Sequence, residues 1–278
     1  MAKIIDGKLV SANLREKIKS EVCDLKKSGI TPGLSVIKVG ENPASNIYVQ
    51  NKIKACEDVG IKSYAYYLPE NTSQDELINL IETLNDDANI HGILVQLPLP
   101  SNIDENLVLS RVSYKKDVDG FHAMNVGNLM LFNNTIASCT PSGVIELIKS
   151  TGTDICGKHA VVVGRSNIVG KPMSMLLLRE NATVTVCHSK TQNLREITKQ
   201  GDILVAAIGK ANFITGDMIK KDAIVIDVGI NRVDGKLYGD VNFEEAKEVA
   251  SYITPVPGGV GPMTITMLLQ NTLSAAKN

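Results

Sequence analysis

An α/β fold in two domains is predicted for this chain of 278 residues by three observations. Residues 157–191 read strand, glycine loop, helix, strand, the order of a dinucleotide-binding unit. Ahead of them, residues 11–97 alternate helical and strand-like segments, as a parallel α/β layer does. Domains cluster at about 100 to 150 residues, and the glycine-loop unit starts in mid-chain, so two domains account for the length better than one.

The central unit opens with His159 to Val163, a short β-branched run suited to a strand buried on both faces. The loop Gly164-Arg165-Ser166-Asn167-Ile168-Val169-Gly170 leads into a helix over Met173 to Arg179, and a second strand follows at Thr183 to Val186. Such a loop sets backbone N–H groups and the positive end of a helix where a pyrophosphate can bind. Ser166 stands where the common fingerprint has its second glycine. NAD sites also carry an acidic residue about twenty positions on, and here the second strand ends in Cys187-His188-Ser189-Lys190-Thr191, without a carboxylate. Arg165 with this hydroxyl-plus-lysine cluster suits a 2′-phosphate, which favours NADP over NAD. An ordinary βαβ unit with solvated Arg165 and Lys190 fits the local pattern too.

In chain order, Leu14, Ile18, Val22 and Leu25 recur at helical spacing within Ser11 to Lys27, and Gly29 supplies the stop. Leu34 to Val39 reads as a strand, and Gly40 to Pro43 as a turn. Ser45 is the expected cap of a helix running to Val59, with Gly60 as its stop. Ile61 to Leu68 is a second strand. Ser73-Gln74-Asp75-Glu76 is a capping-box pattern for a helix with Leu77, Ile81 and Leu84 on one face. Gly92 to Leu97 is a strand cut off by Pro98 and Pro100. Arg111 to Ser138 reads as polar loop holding the domain connection, and Thr140-Pro141 starts a helix to Ser150. Apolar runs at Ile203 to Ile208 and Ala223 to Val228 extend the second sheet. Pro257 to Pro262 opens a last helix, Met263 to Ala276.

A net charge of −1 leaves no footprint for nucleic acid or an anionic membrane, so a small-molecule partner is expected. No apolar run approaches the roughly 18 residues needed to span a bilayer, and a cytoplasmic location is expected. Five scattered cysteines and four histidines without ligand spacing argue against a disulfide framework or a metal site.

Tyr48 and Lys52, four apart, share one helix face. Gln96 ends a buried strand, at the edge where open α/β sheets hold ligands, and Asp119 lies in a glycine-bearing loop. Each has a plainer explanation: a solvated helix pair, a backbone bond, an Asx turn. Three glycines between Pro257 and Pro262 allow close approach of backbone to a ligand, or make only a tight bend.

YVQNK at 48–52, VQLPLP at 95–100, KDVDGFH at 116–122, GRSNIVGKP at 164–172, CHSKT at 187–191 and PGGVGPMTI at 257–265 closely resemble the bifunctional methylenetetrahydrofolate dehydrogenase/methenyltetrahydrofolate cyclohydrolase family, in the same order over nearly the full chain. The resemblance implies a folate-binding catalytic domain at 1–138, completed by the C-terminal helix 263–278, and an NADP-binding Rossmann-type domain at 139–262, with folate in the cleft between them. It also implies a homodimer. The implied chemistry is oxidation of 5,10-methylenetetrahydrofolate to the methenyl form, then hydrolysis to 10-formyltetrahydrofolate. Lys52 matches the family's proton-transfer group and Gln96 its partner, an uncharged amide that orients the amine, so Gln96→Glu is expected to impair hydrolysis. Tyr48 is expected against the pterin ring, Asp119 on its amino-pyrimidine edge, and Gly258 and Gly259 along the folate. Gly164, Arg165, Ser166, Ser189 and Ile230 match the cofactor contacts; Lys171 has no assigned role. A dehydrogenase-only member of the family is the nearest alternative, against which the intact Lys52 and Gln96 argue.

Overall fold

The computed structural model describes residues 1–278 apart from the side chains of residues 43–45, so the expected cap at Ser45 lies outside the described residues. In order, the elements are β1 (Lys3–Ile4), α1 (Gly7–Lys27), β2 (Gly33–Val39), α2 (Pro43–Val59), β3 (Lys62–Leu68), α3 (Gln74–Asp86), β4 (Gly92–Val95), α4 (Glu105–Arg111), α5 (Ala123–Met130) and α6 (Cys139–Ser150). There follow β5 (His159–Val163), α7 (Gly170–Arg179), β6 (Thr183–Cys187), α8 (Leu194–Thr198), β7 (Ile203–Ala206), β8 (Ile224–Asp227), β9 (Asn231–Val233), β10 (Lys236–Tyr238), α9 (Phe243–Val249), β11 (Tyr252–Ile253) and α10 (Val260–Ala276).

These elements gather into two compact units. One holds residues 13–139 and 265–278, the other residues 1–12 and 140–264. This division differs at the N-terminus from the expected boundaries, 1–138 completed by 263–278 and 139–262. β1 pairs in parallel with β11, which assigns the first residues to the second unit's sheet. A two-residue strand whose partner lies near the other end of the chain leaves no local pattern to read.

In the first unit, three parallel strands run in the order β3-β2-β4. β2 is buried along its whole length. One face packs Leu34 and Val36 against Ile18 and Val22 of α1, Val49 and Cys56 of α2, and Leu268, Leu269 and Leu273 of α10. The other sets Ile37 and Val39 against Leu77, Ile81 and Leu84 of α3. The Ser73 capping box forms as its sequence predicts, with Glu76 bonding back to the Ser73 amide at 2.8 Å. The stretch expected as loop after Arg111 contains α5, a finding against that expectation. Its cap is His122, whose Nδ1 accepts from the Met124 amide at 3.1 Å, and Asn and Gly in its body mask the helical signal.

In the second unit six parallel strands run β1-β11-β8-β7-β5-β6. The chain goes from β5 to β6 on one side and then to β7 on the other, so the order reverses between β5 and β7. Ligands bind outside the carboxyl ends of strands at such a switch point. The β9–β10 hairpin, unassigned from sequence, turns at Asp234 and Gly235, both with positive φ.

Candidate active site

In the first unit the carboxyl ends of β2 and β4 carry the expected cluster. Gln96 continues β4, its amide bonded to the Ile37 carbonyl at 2.8 Å. Its side-chain Nε2 donates to the Leu97 carbonyl at 2.7 Å, which turns Oε1 toward α2, where it accepts from Lys52 Nζ at 2.9 Å. α2 fixes the lysine by burying Val49, Ala55 and Cys56, which leaves Lys52 half-buried and Tyr48, one turn earlier, 49% exposed.

Asp119 is held beside them by the loop it belongs to. The Ile93 amide of β4 donates to the Lys116 carbonyl at 2.7 Å, and Asp117 forms a parallel bridge to Ile93. Lys116 Nζ donates to the Leu84 and Asp87 carbonyls at the end of α3. The buried Asp117 carboxylate accepts from the His122 amide and from Asn125 Nδ2. Val118 enters the core, and its carbonyl accepts from Asn271 of α10 at 2.9 Å. Gly120, at φ +71, lies against the 137–138 backbone so closely that a Cβ would stand 2.6 Å from it. Every neighbour is thus tied down, whereas among the described residues none donates a hydrogen bond to the Asp119 carboxylate. Desolvation raises its pKa to about 6, opposed by the charge of Lys52 and helped by Asp117.

In the second unit the glycine loop lies at the switch point. Gly164 has φ +140, and a Cβ there would stand 2.2 Å from the Ala207 carbonyl oxygen. Gly170 is equally constrained, since its Cβ would meet the Gly164 oxygen at 2.3 Å. Ser166, in the place of a glycine, works as a cap: its hydroxyl accepts from the Val169 and Gly170 amides at 3.1 and 3.3 Å, and its carbonyl from the Lys171 amide. These helix-start amides, expected to face a pyrophosphate, are already bonded within the loop. Lys171, unassigned from sequence, donates to Asn167 at 2.7 Å and braces the loop.

A cavity of about 300 Å³ opens here, with Arg165, Ser166, Ser189 and His188 on its polar side and Leu194, Ile208 and Phe213 among its apolar lining. No lining residue carries a carboxylate, so the donor set fits the 2′-phosphate of NADP. Lys190 lies outside the lining, as does Ile230, which is 55% exposed beyond β8.

Gly258 and Gly259 belong to this second unit, apart from the Lys52 cluster in the division of the chain. Gly258 has φ +105, and the Gly259 carbonyl lies where a Cβ on Gly7 would be, 1.8 Å away. The turn therefore packs on the start of α1.

Two acids that sequence reasoning missed shape the cavity's rim. Asp240, fully buried, accepts from the Ile208, Gly209 and Lys210 amides at 2.5, 3.0 and 2.9 Å and from Asn231 Nδ2 at 2.9 Å. Asp227 accepts from the Gly229, Asp240 and Val241 amides, and burial raises its pKa to about 6. Glycines at 229 and 239 are the local signal: a Cβ at either would fall within 2.3 Å of one of these carboxylates. Among the described residues no group of three or more His, Cys, Asp or Glu side chains gathers as a metal site, and no helix is long and apolar enough to cross a membrane.

An α/β chain that carries an amine–amide–acid cluster in one unit and, in the other, a glycine-loop cavity lined by Arg165 and Ser189 has the parts of an NADP-dependent enzyme that also handles protons. Two family profiles match it: the tetrahydrofolate dehydrogenase/cyclohydrolase catalytic domain over residues 5–119 and the NAD(P)-binding domain of the same enzymes over residues 138–278. The bifunctional protein FolD of Halalkalibacterium halodurans is 59% identical over 276 residues, 99% of each chain. The crystal structure of the bifunctional methylenetetrahydrofolate dehydrogenase/cyclohydrolase FolD from Campylobacter jejuni superposes with a TM-score of 0.98 at 53% identity, covering 100% of this chain and 99% of that one. The Trypanosoma brucei methylenetetrahydrofolate dehydrogenase-cyclohydrolase, solved with NADP cofactor and an inhibitor, gives 0.93 at 42% identity over 99% and 97% of the two chains. The chain belongs to the tetrahydrofolate dehydrogenase/cyclohydrolase family and is an NADP-using oxidoreductase and hydrolase of one-carbon folate chemistry.

Proposed function

We propose that this chain carries out both family reactions on one folate: NADP-dependent oxidation of 5,10-methylenetetrahydrofolate to the methenyl form, and hydrolysis of that to 10-formyltetrahydrofolate. The observation that carries the reading is the 2.9 Å bond from Lys52 to Gln96, with Asp119 on the adjoining loop of the same unit. NADP, when bound, supplies the hydride acceptor. Oxidation asks of the protein chiefly that it hold the folate in place, because the folate's own nitrogen lone pairs stabilise the cation that forms.

Tyr48 presents an aromatic face to the pterin, and the Asp119 carboxylate accepts from its adjacent N–H donors. Hydrolysis needs a proton taken from water and one delivered to the departing nitrogen. Lys52 is the group in reach for both, and Gln96 aims its Nζ. A neutral amide serves this role better than a carboxylate, whose charge would lock the proton on the amine. Gly258 and Gly259 are assigned to folate, and Gly164, Arg165, Ser166, Ser189 and Ile230 to the cofactor. In this assignment residues 13–139 with 265–278 act on folate, and residues 140–264 hold NADP. The enzyme works in the cytoplasm as a homodimer, which sedimentation of the purified chain tests.

The decisive assay supplies methylenetetrahydrofolate and NADP to wild type and Lys52→Met, and follows NADPH, methenyl intermediate and formyl product separately. Loss of methenyl hydrolysis in the variant is the expected result. Hydrolysis as fast as wild type over the uncatalysed background would remove Lys52 from the mechanism.

A further inference from the structure

Resting on the reading of the 300 Å³ cavity as the NADP site, we propose that Lys210 is a second cation for the cofactor's 2′-phosphate and so a determinant of NADP over NAD selectivity. Lys210 follows β7, on the far side of the switch point from Ser189, and lines the same cavity as Arg165. Neither Arg165 nor Lys210 forms an ion pair among the described residues, so two uncompensated cations border one cavity whose lining holds no carboxylate.

The position of Lys210 is built rather than incidental. Its amide, with those of Ile208 and Gly209, is gripped by the buried Asp240 carboxylate at 2.5 to 3.0 Å, which fixes the backbone from which the side chain leaves. Its Nζ then lies over the Phe213 ring, 5.8 Å from the centroid, and Phe213 is itself part of the cavity lining. A cation so placed is directed along the cavity wall.

Charge balance gives the reason for a second cation. A phosphate monoester carries close to two negative charges at neutral pH, its second pKa being about 6. Arg165 would neutralise one of them, and Ser189 adds a hydroxyl without charge. Lys210 supplies the remaining positive charge. A ribose with a free 2′-hydroxyl would gain nothing from it.

The test uses two nucleotides that differ only at this position, adenosine 2′,5′-bisphosphate and adenosine 5′-monophosphate, titrated calorimetrically into wild type, Lys210→Met, Lys210→Arg and Arg165→Met. Lys210→Met is expected to weaken the bisphosphate about tenfold, the scale of one charge-assisted bond near the surface, and the monophosphate less than twofold. Lys210→Arg should restore most of the loss. Equal weakening of both nucleotides, or of neither, overturns the proposal. Arg165→Met guards the reading beneath it: if that variant binds the bisphosphate as wild type does, the cavity is not the 2′-phosphate site, whatever Lys210 shows.

Discussion

Exchanging Gln96 for glutamate replaces one NH2 group by an oxygen and adds one charge beside Lys52. One carboxylate oxygen keeps the 2.9 Å bond to Lys52 Nζ. The other faces the Leu97 carbonyl, to which the amide now donates at 2.7 Å, so an attraction becomes a repulsion. Unit charges about 4 Å apart attract by about 4 kcal/mol at an effective dielectric of about 20. The lost bond to Leu97 offsets about 1 kcal/mol of that. Solvent screening at this half-buried pair trims the rest to about 2 to 3 kcal/mol of extra hold on the ammonium proton. Methenyltetrahydrofolate supplied directly should then be hydrolysed about 30- to 150-fold more slowly, while NADPH formation from methylenetetrahydrofolate changes by less than about fivefold. Hydrolysis within about twofold of wild type would refute the proton-transfer role of Lys52. A common fall in both activities would instead make Gln96 a support for folate binding.

Asp240→Asn keeps the shape but turns an NH2 group onto two of the four N–H donors it now satisfies, whichever way the amide is flipped. Two lost charge-assisted bonds should cost about 3 to 6 kcal/mol, read as a fall in the denaturant midpoint at unchanged m, and a cost under about 1 kcal/mol would contradict the geometry. The folded pKa of Asp227, raised to about 6, means that the native state holds a proton which the unfolded chain has released above about pH 4. Stability from this group is therefore full below about pH 4 and lost as pH rises to about 6, by about 3 kcal/mol; Asp227→Asn should flatten that part of the stability–pH curve by about one proton, and an unchanged slope would count against it. Gly164→Ala places a methyl group 2.2 Å from the Ala207 oxygen at φ +140. It should destabilise the protein by at least about 2 kcal/mol and raise the Kd for NADP, and a variant of wild-type Tm and affinity would show that the loop yields more easily than the packing implies.

Where the sequence spoke locally, it spoke well. The His159–Val163 strand and the Ser73 capping box are set by β-branched side chains and by a cap that act within a few residues, and both are found as predicted. α5 was hidden because its cap is a histidine and its body holds Asn125, Asn128 and Gly127, residues that favour turns. The β9–β10 hairpin had a usable signal, Asp234-Gly235, between short strands too polar to register. Lys52 and Gln96, singled out on a helix face and at a strand end, are found hydrogen-bonded to each other, and Asp119 was singled out by its glycine-bearing loop. Asp240 and Lys210 were not, since one acts by gripping backbone 30 residues away and the other matters only once that backbone is in place.

The pairing of β1 with β11 has a consequence for the order of assembly. β1 can pair only once β11, far along the chain, has been made, so this pairing cannot form while the intervening residues are still being synthesised. A fragment beginning at residue 138, the span of the NAD(P)-binding profile, would contain β11 without its neighbour and leave an unpaired sheet edge open to other chains. Residues 1–12, which hold β1, supply the strand that covers that edge in the whole chain.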